Sequence, residues 1–215
     1  EYQDVLTAPV HSDVAILYDY DSLASFRIQQ QSLLLDCETE MKRLHGVFFR
    51  AGQSVDILPV DRDFSGYKIV VVPNMIVTDE AFALRLKRYV AAGGCAVVTY
   101  RTAVKDRNNN LTFGKVLPVD CSELLGENSI DAGSTAISVE IARGGVGSIE
   151  VSDNGSGTAG IFRDMIVPDR AEVLYRYNDT FYQQYAAITR NELGEGRAYY
   201  LGTTPDAAIL EQVLG

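Results

Sequence analysis

Between residues 14 and 100, short apolar runs alternate with longer stretches of helical periodicity, and this alternation restricts the chain more than any other feature. Val14-Ala15-Ile16-Leu17-Tyr18 offers almost no polar position to either side of a strand. Strands of that kind are buried on both faces. From Asp36 to Ala51, Met41, Leu44, Phe48 and Ala51 share one helical face, and Gly52 follows as a left-handed cap. Val55-Asp56-Ile57-Leu58 is a second strand, stopped by Pro59, and Lys68 to Val72 is a third. Thr78 is expected to cap the next helix, with Asp79 and Glu80 in its first turn and Phe82, Leu86, Tyr89 and Val90 on its buried face. Gly93-Gly94 closes that helix, and Cys95 to Tyr100 is a fourth strand. Such strands joined by amphipathic helices predict a doubly wound, mainly parallel α/β sheet with right-handed crossovers.

The second half reads differently. Arg101 to Gly114 is polar and predicts a long loop, and Cys121 to Leu125 one or two helical turns. Thr135 to Val151 alternates around Gly144-Gly145, an antiparallel hairpin signal, and Asp153 to Gly160 has loop composition. Ala171 to Tyr177 is a strand, and Tyr185–Glu192 with Arg197–Leu201 forms a hairpin across Gly194-Glu195-Gly196. Thr204 and Pro205 are expected to cap and begin a final helix. Residues 1–215 are therefore read as a single domain. Its α/β core covers 13–126 and 171–215, and a variable β-rich insertion covers about 127–170.

Composition excludes several classes of function. Nineteen Lys and Arg against 29 Asp and Glu give a net charge of −10, which argues against nucleic-acid and anionic-membrane partners. Apolar runs such as Ile69-Val70-Val71-Val72 are too short to span a bilayer. Three scattered cysteines (Cys37, Cys95, Cys121) and the lack of a basic, apolar leader point to a reducing, cytoplasmic setting without a disulfide framework.

Ligands of doubly wound sheets bind beyond the carboxyl ends of the strands, so chemistry is sought there. The first strand is followed by Tyr18-Asp19-Tyr20-Asp21-Ser22, where two carboxylates would repel phosphate. A phospho-accepting receiver also has acids here, but it needs an Asp after its third core strand, and this one ends Val72-Pro73-Asn74-Met75. Asp19 and Asp21 are read as caps of the following turn. The fourth strand is followed by Arg101-Thr102-Ala103-Val104-Lys105-Asp106. The layout resembles class I glutamine amidotransferases (flavodoxin-like), which place a Cys nucleophile on a strained elbow at this point, flanked by small residues. Arg101 and Thr102 stand there instead, Cys95 lies at the opposite end of the strand, and His11 and His45 offer no base. Gly155 to Gly160 matches G-x-G-x-x-G, but Pro168 interrupts any helix behind it. No metal-ligand spacing is present, and no cofactor is expected.

Several ordered runs carry a resemblance: Tyr18-Asp19-Tyr20-Asp21-Ser22, Ile28-Gln29-Gln30-Gln31-Ser32, Ala51 to Pro59, Asp63 to Pro73, Tyr89 to Gly94, Arg101 to Asp106, and Thr189 to Thr203. From about Val14 to Thr203 the chain resembles the middle, trimerisation domain of glycoside hydrolase family 42 β-galactosidases. The resemblance implies a three-part bacterial enzyme, in which a TIM barrel carries the two catalytic glutamates and the amidotransferase-like middle domain builds a homotrimer. This chain would be a non-catalytic oligomerisation domain, with no catalytic residue of its own, cut from a longer protein that hydrolyses terminal β-galactosides. The chain departs from the family at Leu23-Ala24-Ser25, where an aromatic is usual, at Ala103 in place of Gly, and at Arg107 in place of an acid. The other reading is a sugar- or small-molecule-binding crevice formed by Tyr18, Asp19, Asp21, Arg101 and Asp106.

Overall fold

A computed structural model describes residues 11–29, 32–110, 127–128, 138–140, 147–151, 155–168, 170–178 and 180–214, with backbone alone for 127–156. The expected helical crossovers are present. β1 (Val14–Tyr18) leads through α1 (Tyr20–Ile28) and α2 (Cys37–Arg50) to β2 (Val55–Pro59), and β3 (Ile69–Val72) leads through α3 (Glu80–Ala91) to β4 (Cys95–Thr99). The second half contributes β5 (Glu127–Asn128), β6 (Ser138–Glu140), β7 (Gly147–Val151), β8 (Gly155–Asp164), β9 (Val167–Pro168), β10 (Glu172–Tyr177), β11 (Ala186–Leu193), β12 (Gly196–Leu201), β13 (Thr203–Pro205) and α4 (Ala207–Leu214).

The main sheet runs β13-β8-β7-β10-β11-β12-β4-β3-β1-β2, with β6 also on β8. From β12 to β2 every pairing is parallel. From β12 outward to β13 every pairing is antiparallel. Alternate residues of the parallel strands feed two cores. Ala15, Leu17, Val70, Val72, Ala96 and Val98 meet α3 through Phe82, Leu86, Tyr89 and Val90. Val14, Ile16, Val71 and Val97 meet Leu44, Val47 and Phe48 of α2 and Ile209 and Leu210 of α4. Burying such a side chain contributes about 1.5–3 kcal/mol, so the two-sided strands account for much of the fold's stability.

The β11–β12 turn sits directly on the end of α3. Gly194 has φ +62°, and a Cβ at Gly196 would lie 2.1 Å from the Val90 carbonyl oxygen. No side chain fits at that approach.

The structure corrects five expectations. Asp79, not Thr78, caps α3, its carboxylate accepting from the Phe82 N–H. Tyr20–Ile28 is a helix and not a turn. β6 and β7 do not pair with each other; each pairs with β8. The Gly-rich run 155–160 is the first half of β8, not a loop, because Gly157 admits Ile209 against the strand, where a Cβ would lie 2.1 Å from Ile209 Cδ1. Thr204 and Pro205 belong to β13, and Asp206 caps α4 by accepting from the Ile209 N–H. The helical turns expected at Cys121 to Leu125 lie outside the described residues.

Candidate functional site

β1 lies between β2 and β3, so the chain reverses its winding direction at the carboxyl ends of β1 and β3. A ligand crevice is expected there. The chain's own α1 and the loop 101–110 lie across that position. Extending beyond β4, the loop 103–105 runs beside the segment after β3: the Ala103 N–H donates to the Met75 carbonyl, the Lys105 N–H to the Ile76 carbonyl, and the Thr78 N–H to the Lys105 carbonyl.

α1 is stitched to both segments through polar side chains. Asp19 caps the helix, its carboxylate accepting from the Ser22 N–H at 2.8 Å and the Ser22 hydroxyl at 2.8 Å. Ser22 Oγ in turn accepts from the Val77 N–H at 3.1 Å. One turn on, the Ser25 hydroxyl donates to Asn109 Oδ1 at 2.8 Å. Lys105, only 3% exposed, donates to Ser25 Oγ, Gln29 Oε1 and Asn109 Oδ1 at 3.2, 3.1 and 3.0 Å. Its three acceptors are neutral oxygens, and burial, then the nearby Arg101 charge, holds its ammonium below the ordinary lysine range.

Arg107 closes the mouth. Its guanidinium reaches Asp79 at 2.9 Å, Asp21 at 3.1 Å and Asp19 at 3.3 Å. Two of these carboxylates are helix caps, so one cation ties the starts of α1 and α3 together. Burial pulls the Arg107 pKa down, but the carboxylates, Asp79 foremost, outweigh it and push it up.

The five residues singled out from the sequence do not form one array. Asp19 and Asp21 meet through Arg107. Asp106 closes its own loop, accepting from the Asn108 and Asn110 N–H groups at 2.9 Å each. The Asn110 N–H is the main reason its carboxyl is held below the usual range. Tyr18 packs edge-on against the exposed Tyr20, with ring centroids 5.3 Å apart. Arg101 meets a different acid. Its N–H donates to the buried Asp164 carboxylate at 3.4 Å, and its guanidinium lies 5.5 Å from the centre of the Phe162 ring.

Arg101 and Ala103 both have positive φ, +63° and +57°. The turn after β4 is thus strained even without the small residues an elbow prefers, and the side chain carried there is a guanidinium, not a nucleophile. Cys37 is buried and its thiol is pushed up to about 12, mainly by desolvation, which leaves it unreactive. Cys95 lies at the amino end of β4. His45 stacks on Phe49 in the middle of α2. Among the described residues no group of three or more His, Cys, Asp or Glu is arranged to hold a metal ion, and no helix is long and apolar enough to cross a membrane.

Sequence reasoning noted Arg107 only as a departure from the family and gave Ser22, Ser25 and Lys105 no part in the site. The signal for Arg107 was a base where an acid was expected.

The profile of a family described as the β-galactosidase trimerisation domain matches residues 12–215. The chain is 31% identical over 194 residues to a β-galactosidase of Clostridium cellulovorans, covering 90% of this chain and 28% of that one. It is 30% identical to a β-galactosidase of Clostridium perfringens, covering 92% of this chain and 29% of that one. The crystal structure of a β-galactosidase from Bacillus circulans superposes with a TM-score of 0.88 at 27% identity, over 98% of this chain and 31% of that one. The chain therefore spans less than a third of the length of these three relatives.

Proposed function

Because the chain belongs to the trimerisation-domain family of glycoside hydrolase family 42 β-galactosidases, we propose that it is the non-catalytic oligomerisation domain of such an enzyme. It associates with two further copies, while hydrolysis of terminal β-galactosides belongs to a barrel elsewhere in a longer, cytoplasmic chain. The observation that carries this reading is the family match over nearly the whole chain by a domain that is under a third of its relatives. The carboxyl-end geometry supports it. A retaining glycosidase needs two carboxyl groups about 5–5.5 Å apart around a sugar, free for acid and nucleophile roles. Asp19, Asp79 and Asp106 are committed to backbone N–H groups, and Asp21 shares Arg107 with two of them. We read the doubly wound core as amidotransferase-like, with its nucleophile position taken by Arg101, and residues 1–215 as one domain.

The purified chain is expected to form trimers in sedimentation analysis and to leave a chromogenic β-galactoside uncleaved. Turnover abolished by Asp19→Ala or Asp21→Ala would overturn the non-catalytic reading.

A further inference from the structure

α1 is held to the molecule differently from its neighbours. α2 buries Leu44, Val47 and Phe48, and α3 buries Phe82, Leu86, Tyr89 and Val90, whereas α1 buries one apolar side chain, Phe26, beside Ser22 and Ser25. Leu23 is partly covered, and Tyr20 and Ile28 stand 73% and 80% exposed. Toward α2 lies a hollow of 420 Å³, lined by Leu23, Phe26 and Arg27 of α1 and by Leu33, Leu35 and Cys37. Arg27 and Glu38, both exposed, also line it and meet at 3.4 Å. The ties that α1 makes to the segments after β3 and β4 are polar: Ser22 to Val77, Ser25 and Gln29 to Lys105, Asp19 and Asp21 to Arg107. On opening, each such bond is exchanged for one to water, so its net contribution is small. A helix of nine residues does not hold its shape alone in water, so α1 keeps its form only while docked. Segments with little apolar burial are the first to open locally.

We propose that α1 is a lid: it undocks and unwinds as a unit while the sheet, α2 and α3 stay folded, and so uncovers the carboxyl ends of β1 and β3. Phe26 packs in one apolar cluster with Ile76, Val77 and Val104, and these lose their cover when it leaves. Lys105 changes most. Two of the three oxygens around its ammonium come from Ser25 of α1 and from Gln29, the residue that ends α1, and both depart with the helix. Asn109 stays. The loop 103–105 stays as well, because its backbone is paired with the segment after β3. Opening therefore turns a buried ammonium into an accessible one at the place where doubly wound sheets take ligands. A ligand entering there has to displace α1, and its affinity scales with the open fraction.

Native-state hydrogen exchange and amine labelling, both on the whole chain, test this together. Amides from Leu23 to Ile28 should exchange at least about a hundred-fold faster than those of β3 and β4, and with a weaker dependence on urea. Lys105 should be acetylated by N-hydroxysuccinimide acetate at a rate, set against the exposed Lys68, that follows the open fraction those amides report. Arg107→Ala should raise both by one common factor of about two to five, the worth of partly exposed ion pairs. Ser25→Pro, which cannot keep α1 helical, should leave a sheet that still unfolds cooperatively, with Lys105 labelled nearly as fast as Lys68. Amides of α1 as slow as those of β3 and β4, a Lys105 that reacts only once urea unfolds the chain, or factors that differ between the two probes overturn the lid. A Ser25→Pro chain that fails to fold overturns it too, since it makes α1 part of the cooperative core.

Discussion

Asp19 separates a structural crevice from a ligand-binding one. Its carboxylate accepts from the Ser22 N–H and hydroxyl and from Arg107, and its side chain is 7% exposed. Removing a cap of this kind costs about 1–2 kcal/mol. The Arg107 contact adds about 0.5 kcal/mol, because Arg107 keeps Asp21 and Asp79. Asp19→Ala is therefore expected to destabilise the chain by about 2 kcal/mol, which for a domain of this size lowers Tm by ~4–8 °C. Asp19→Asn keeps the cap, since Asn serves as well as Asp, and should lose under about 1 kcal/mol. Asp21→Ala removes only an exposed contact to Arg107 and should lose under about 0.5 kcal/mol. Urea unfolding followed by circular dichroism measures all three. Equal losses for Asp19→Ala and Asp19→Asn, or an Asp19→Ala protein as stable as wild type, would refute the capping argument.

Two further predictions follow from the same geometry. Gly196→Ala drives a methyl group into the Val90 and Gly94 carbonyls, 2.1 and 2.3 Å from the ideal Cβ, and should destabilise by more than about 3 kcal/mol or abolish soluble expression; a near-wild-type urea midpoint would show that the turn relaxes freely. Stability should be level above about pH 5 and fall below about pH 4. At Asp36 the Thr39 hydroxyl lowers the carboxyl pKa; at Asp79 and Asp206 burial works upward, but N–H donors, with Arg107 at Asp79, outweigh it. Folded pKa values below the unfolded ones mean stabilisation that is present above the unfolded value and lost as pH falls through the folded one. Urea midpoints between pH 3 and 7 check the sign.

What the sequence disclosed depended on which face an element buries. β1, β3 and β4 announced themselves because both sides of each are apolar, and α2 and α3 because Met41, Leu44, Phe48 and Ala51, or Phe82, Leu86 and Tyr89, recur at helical spacing. α1 escaped because it buries Ser22, Ser25 and Phe26, two hydroxyls and one ring, and so shows no apolar stripe. β8 escaped because glycines that admit Ile209 look like loop glycines. At the carboxyl end, Asp19 was legible as a cap from its place behind a strand. Its bond to Arg107, 88 residues on, was not, because pairings across loops leave no local pattern. Asp106 was read as part of the crevice, yet its donors lie two and four residues away in its own turn.

The place of β12 has a consequence for how the chain is made. It fills the gap between β4 and β11, with Arg197 opposite Cys95, roughly a hundred residues apart. At ribosomal rates of about 5–20 residues per second, β4 waits some ~5–20 s for its second neighbour. Through that interval Ala96, Val97 and Val98, which end almost fully covered, belong to an unfinished sheet with an open edge. The nascent chain thus carries that open edge until β12 emerges, and slowing translation between β4 and β12 would lengthen the exposure.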